Sequence, residues 1–221
     1  MLTKKIIQNN EVIVCGKIAS DVLYSHETSG KKFYTSDIKI MRLSERHDMI
    51  RLTIPEKILK TISLCNGAYV KVTGQFRSYN MMVEDKSRLI LTLFVTGMEI
   101  LNEFFEWDYE NTIYLDGYLC KPPVYRQTPN RTEVTNLLIA TNRNYGMSCY
   151  IPCICWANNA RHAKKFNIGD RFKIKGRIQS KEYTKNYPDG TTEQRVAYEV
   201  SIQKIIKIQT DKGVIHVHEC I

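Results

Sequence analysis

A pair of glycines seven residues apart brackets a similar run at two places in the chain. The second run, Gly169-Asp170-Arg171-Phe172-Lys173-Ile174-Lys175-Gly176-Arg177-Ile178-Gln179-Ser180-Lys181-Glu182-Tyr183, alternates with period two. As a strand it puts Phe172, Ile174 and Ile178 on one face and Arg171, Lys173, Lys175 and Arg177 on the other. The first run, Gly67 to Tyr79, keeps Val70, Val72 and Phe76 as its apolar face but only Lys71 and Arg77 of the cations. A duplicated unit in a chain of 221 residues predicts two similar small domains of about 100 residues rather than one large core. The expected boundaries are 1–104 and 109–221.

Each unit reads as strand, strand, strand, helix, strand, strand. In the first, Asn10 to Ile18 is a strand with Gly16 where strong curvature needs one, Phe33 to Leu43 a second and Met49 to Ile54 a third. Pro55 to Leu64 then changes period, with Ile58, Leu59 and Ile62 as one helical stripe and Asn66-Gly67 as its end. The glycine-bracketed strand follows, and Leu89 to Ile100 closes the unit. In the second unit Asn111 to Leu119, Val134 to Arg143, Tyr150 to Trp156, Ala157 to Phe166 and Tyr198 to Ile208 answer these in order. The fold class is therefore all-β with a short helix per unit, as two tandem OB-fold Greek-key barrels, whose face and loops commonly bind single-stranded nucleic acid. Pro188-Asp189-Gly190 marks the tip of a long basic hairpin.

The net charge is +9, and it is clustered. Residues 111 to 207 carry 16 Lys and Arg against 7 Asp and Glu, while residues 10 to 101 carry 13 against 10. A polyanionic partner for the second unit follows from that imbalance. Seven cysteines make an odd number without a disulfide framework, and the N-terminal residues have no apolar run suited to a signal peptide or a membrane span. These features predict a cytoplasmic protein with reduced thiols and no membrane partner.

Six motifs of the second unit carry a resemblance: Asn111 with Gly117; Tyr125-Arg126-Gln127-Thr128-Pro129-Asn130; Leu138 to Arg143; Tyr150-Ile151-Pro152-Cys153-Ile154-Cys155-Trp156; Gly176 to Ser180; and Tyr198-Glu199-Val200. In this order they resemble the bacterial single-stranded DNA-binding protein (SSB) family over nearly all of residues 111 to 206. The first unit resembles it mainly through the internal repeat. The resemblance implies non-catalytic, largely sequence-independent binding of single-stranded DNA in replication, recombination or repair. It implies stacking of bases at Tyr145, Tyr150, Trp156 and Tyr183, with phosphates tracked by Arg126, Arg143, Arg171, Lys173, Lys175, Arg177, Lys181, Lys185 and Arg195. Stacking suits sequence-tolerant binding because every base has a π face. The family works with four barrels, which a homodimer of this chain supplies.

Other readings stand beside this one. Aromatic residues of a small barrel also serve as core, and Tyr150 and Trp156 share their strand face with Pro152 and Ile154. In the first unit Met49, Pro55 and Met81 occupy the positions of Tyr150, Trp156 and Tyr183, so pairing or scaffolding is the expected role there, although Tyr69, Lys71, Arg77 and Tyr79 can still hold a strand weakly. Cys149, Cys153 and Cys155, or His216, His218 and Cys220, are poor metal sets, and neither a phosphate loop nor a nucleophile motif occurs. No cofactor, metal or enzymatic activity is expected. The chain ends Gly213 to Ile221 without the acidic, apolar-tipped tail usual in the family, which removes the expectation of its recruiting role. An RNA-binding or regulatory OB protein, and a protein-interaction module of a replication or mobile-element complex, are the alternatives.

Overall fold

The computed structural model describes residues 9–83, 86–143, 146–187, 190–211 and 214–220, with side chains at all of these except 82–83, 86–87, 209–211 and 214–220. The first six strands are β1 (Asn10–Ile18), β2 (Leu23–Thr28), β3 (Lys31–Met41), β4 (His47–Pro55), β5 (Tyr69–Val83) and β6 (Lys86–Ile100), with helix α1 (Glu56–Leu59) after β4. They pair in the order β2-β3-β4-β6-β5-β1, and β1 also pairs with β3 through Lys17↔Lys39 and Ile18↔Ile38. That last pairing closes a barrel. Its interior holds Val70, Val72 and Phe76, the apolar face expected from the sequence, together with Val12, Val14, Ile38, Ile50 and Leu52, all fully buried.

A 3-10 turn (Glu106–Asp108) precedes the second series. This comprises β7 (Glu110–Leu119), β8 (Val124–Gln127), β9 (Glu133–Asn142), β10 (Ser148–Trp156), α2 (Ala157–Ala163), β11 (Arg171–Asn186), β12 (Thr192–Asp211) and β13 (Val214–Cys220). The order β7-β11-β12-β10-β9-β8 repeats the first, β7 closes on β9 through Tyr118↔Ala140, and β13 pairs with β12. Two OB-fold barrels of the same strand order result.

Gly16 and Gly117 occupy the same place in the two barrels, where the first strand crosses the third. A Cβ on Gly16 would lie 2.5 Å from the Lys39 carbonyl oxygen, and one on Gly117 2.5 Å from that of Ala140. Only glycine lets the strand curve past its neighbour so closely. Gly67 and Gly169, the first glycines of the duplicated run, both have positive φ, at 90° and 89°.

Helix α1 is a single turn, shorter than the stripe Ile58, Leu59 and Ile62 predicts. The Thr61 amide and hydroxyl both donate to the Ile58 carbonyl, at 3.0 and 2.7 Å, and the side-chain bond competes with continuation of the helix. Strands β2 and β8 were not expected from the sequence, because all their residues are exposed and neither shows an apolar alternation. Compactness groups the chain into one unit of Met1–Glu11, Ile113–Gly176 and Ile202–Ile221, and another of Val12–Thr112 and Arg177–Ser201. The outer half of the β11–β12 hairpin thus counts with the second of these.

Candidate nucleic-acid interface

In the unit containing Ile113–Gly176, β10 sorts its side chains by parity. Cys149, Ile151, Cys153 and Cys155 are buried in the barrel, whereas Tyr150 is 45% and Trp156 39% exposed. Ile154, between them on the outward face, is covered. Trp156 ends the strand in extended conformation, and Ala157 then takes a left-handed φ of 49° as the chain turns into α2. The two rings are thereby presented at opposite ends of one strand, on its outer face.

Strand β11 sets its cations against β7 in the register Arg171↔Tyr118, Lys173↔Asp116 and Lys175↔Tyr114. Phe172 and Ile174 are buried on the inner face, and Lys173 and Lys175 are exposed on the outer one. Arg171 is not a simple exposed cation. Its Nε and Nη2 donate to the two Asp116 oxygens at 2.8 and 2.9 Å, and this carboxylate holds its guanidinium above the ordinary value. Tyr114 lies 5.7 Å from Lys175 Nζ and Tyr118 lies 6.0 Å from the Arg171 guanidinium, measured to the ring centroids. A hollow of about 400 Å³ opens on this face, lined among others by Glu11, Tyr114, Asp116, Lys173, Lys175 and Lys204. The sequence reading overlooked Tyr114 and Tyr118 as members of this face. Their alternation with Ile113 and Leu115 was visible, but the long-range register that puts them beside the cations was not.

Arg126 is exposed on β8, and Arg143 is half-buried after β9, where its amide donates to the Met147 carbonyl at 2.7 Å. Tyr145 lies outside the described residues. Cys149, Cys153 and Cys155 are buried, and no cluster of three or more His, Cys, Asp or Glu suited to a metal occurs among the described residues. The side chains of His216, His218 and Cys220 lie outside the described set.

The unit containing Val12–Thr112 and Arg177–Ser201 holds the remaining candidates, all on the hairpin. Lys181 is exposed, Tyr183 is 41% exposed, and Arg177, Lys185 and Arg195 are half-buried. Burial and the neighbouring Arg42 cation push the Arg177 guanidinium below its ordinary value, with Asp48 opposing them. Arg195 donates through Nη2 to Glu193 at 2.7 Å and to the Tyr187 hydroxyl at 2.6 Å, while Lys185 Nζ sits 4.7 Å from the Tyr187 ring centroid. Hydrogen bonds from Arg195 and from Tyr187 lower the Glu193 carboxyl to about 2. Two of the predicted phosphate contacts are therefore already engaged in a cluster of their own.

The base of this hairpin is fixed by Asp48, fully buried, which Arg42 approaches with Nε at 2.8 Å and with Nη2. The Ser180 amide donates to Asp48 Oδ1 at 2.8 Å, and the Met49 amide donates to the Ser180 hydroxyl at 2.9 Å. Asn111 bonds both backbone groups of Ile178, at 2.7 and 2.9 Å. Tyr198 packs edge-on against Phe76 with centroids 6.5 Å apart. Ile178 and Ser180 lie on the stretch between Arg177 and Tyr183, so these bonds anchor the backbone that carries both. In the same unit Met49 is half-buried, Pro55 buried and Met81 exposed, and Tyr69 is taken up by stacking on Phe104 at 4.2 Å.

Residues 110–208 match the profile of the single-strand binding protein family. Over 83 residues the chain is 30% identical to a single-stranded DNA-binding protein of Halalkalibacterium halodurans, covering 34% of this chain and 49% of that protein. Over 110 residues it is 26% identical to single-stranded DNA-binding protein A of Bacillus subtilis, covering 47% and 62%. The chain thus spans half to three-fifths of the length of these curated relatives. The crystal structure of the wild-type single-stranded DNA-binding protein of Thermus aquaticus superposes with a TM-score of 0.70 at 18% identity, over 91% of this chain and 94% of that one. A deletion mutant of the same protein gives 0.73 at 16% identity, over 91% and 95%. At such identity the likeness is one of fold, and it extends across both barrels.

Proposed function

We propose that this chain, whose residues 110–208 belong to the single-strand binding protein family, binds single-stranded DNA without catalysis and with little regard to sequence. The observation that carries the reading is the outward presentation of Tyr150 and Trp156 on the strand whose other face is core. An aromatic needed only for packing has no reason to keep two-fifths of its surface in water, whereas a stacking platform must. Tyr183 has the same exposure on the hairpin, and Lys173, Lys175 and Lys181 add exposed positive charge.

In this reading the domain 109–221 supplies most of the affinity and the domain 1–104 pairs or scaffolds. Met49, Pro55 and Met81 at the platform positions of the first barrel support that division. Two copies of the chain supply four barrels, and the role is protection of exposed single strands in replication, recombination or repair at the nucleoid. Titration of fluorescently labelled oligo-dT at several salt concentrations, with duplex DNA and RNA of the same sequence as competitors, tests it. If Arg126, Lys173, Lys175, Arg177 and Lys181 make five phosphate contacts, then at about -0.7 per contact the log-log salt slope is about -3.5. A slope near zero, or equal affinity for duplex, overturns the reading. A preference for RNA moves the protein to the RNA-binding class, since only RNA offers the 2′-hydroxyl.

A further inference from the structure

The first barrel lacks the aromatic platforms, yet at the position that answers Trp156 it has a hollow instead. Its volume is about 430 Å³, and its lining among the described residues is Gly30, Lys31, Lys32, Phe33, Pro55, Glu56, Lys57, Lys60, Phe94, Val95 and Thr96. The floor is apolar, with Pro55 and Val95 buried and Phe33 and Phe94 half-buried. All four lysines are exposed around it. Glu56 is the single carboxylate of the lining and is engaged by Lys60 at 2.9 Å, so four cations against one anion leave a formal charge of +3.

The rim is built locally. Thr28 pairs with Lys31 across a two-residue hairpin turn in which Ser29 and Gly30 have φ of 53° and 70°, the conformation of a type I′ turn. That turn brings Lys31 and Lys32 up on one side, and α1 carries Lys57 and leads into Lys60 on the other. Phe33 and Phe94 each have one ring face already engaged. His26 stacks on Phe33 at 5.0 Å, the Arg77 guanidinium covers Phe94 at 3.5 Å, and the two rings meet each other tilted by 50° with centroids 6.0 Å apart. The polar groups of the lining are four ammonium donors, the Thr96 hydroxyl and the Glu56 carboxylate already held by Lys60, so the hollow offers point charges to anionic oxygens such as those of carboxylates.

We infer that this hollow docks an acidic peptide segment of a partner protein, with one apolar side chain on the Phe33, Pro55, Phe94 and Val95 floor and carboxylates on Lys31, Lys32 and Lys57. This goes beyond the DNA-binding reading: it assigns the first barrel a partner of its own, by charge and shape complementarity. The test uses the full chain and a fluorescein-labelled hexapeptide of four glutamates followed by two leucines, read by anisotropy. Saturable binding is expected, lost when the leucines are replaced by serines and weakened about tenfold or more by Lys31→Glu combined with Lys57→Glu, both surface changes. Thr96→Trp, at an exposed strand position of the lining, fills the hollow and abolishes peptide binding while melting stays unchanged. Oligo-dT affinity is unaffected by all three changes, and variants at Trp156 or Tyr183 leave peptide binding intact, so this inference and the DNA-binding reading fail separately. Absence of saturable binding up to about 1 mM peptide overturns the inference. So does a charge-reversed variant that binds peptide normally but loses oligo-dT, which makes the hollow a nucleotide subsite.

Discussion

Trp156 has three-fifths of its surface covered, so truncation perturbs packing and binding together, and the two must be separated by magnitude. A Trp side chain buries up to about 250 Å², and three-fifths of that at about 25 cal/mol per Å² comes to roughly 3 to 4 kcal/mol. Compactness of the unfolded chain lowers this to about 2 to 3 kcal/mol. Trp156→Ala therefore melts at lower temperature even if the ring never meets DNA. Loss of one stacked base costs about 1 to 3 kcal/mol in addition, a factor of roughly 5 to 150 in Kd. Trp156→Leu distinguishes the two effects, because it restores much of the apolar cover and none of the π face. The assay is anisotropy of labelled oligo-dT well below the melting transition, since removing Trp156 leaves Trp107 as the sole tryptophan. Stacking requires that the Leu variant recover most of the stability of the Ala variant but stay weak in binding. A Leu variant that binds as the native protein does refutes the stacking role and returns Trp156 to the core.

Asp116→Asn removes the carboxylate that engages Arg171 and releases this cation to the phosphates, so the salt slope should steepen by about 0.7 and low-salt affinity rise; an unchanged slope places the β11 stripe outside the DNA path. The depressed Glu193 carboxyl gives the hairpin cluster a defined acid limit. Its pKa falls from an ordinary 4.5 to about 2 on folding, so the stabilisation is fully present above 4.5 and is lost as pH falls toward 2. An NMR titration in which Glu193 protonates near 4.5 contradicts the Tyr187–Glu193–Arg195 contacts.

Much of the architecture was legible because burial imposes a period. The alternation Phe172, Ile174, Ile178 and its first-unit counterpart predicted the duplicated strands, and Gly16 marked a strongly curved one. Strands β2 and β8 escaped because a ribbon exposed on every residue leaves no apolar period to read. At the site, parity correctly put Tyr150 and Trp156 on one face but could not decide which face is wet, since Ile154 between them is buried. The cation stripe was visible as residue types, whereas the pairing of Arg171 with Asp116 and of Arg195 with Glu193 depends on register and on side-chain reach. The lysine-rimmed hollow was invisible for a related reason. Its lining comes from β3, the end of β4, α1 and β6, which meet through the pairing of β4 with β3 on one side and with β6 on the other.

The grouping of Arg177–Ser201 with Val12–Thr112 has a consequence for how the chain is made. Synthesis runs at about 5 to 20 residues per second, so about 3 to 14 s separate emergence of Thr112 from emergence of Ser180. Throughout that interval the nascent chain holds Asp48 with Arg42 but without the Ser180 amide, and Asn111 without the Ile178 backbone it later bonds. A stop codon or a protease cut between Thr112 and Arg177 therefore releases a first barrel whose buried carboxylate lacks one of its donors, and not a finished domain.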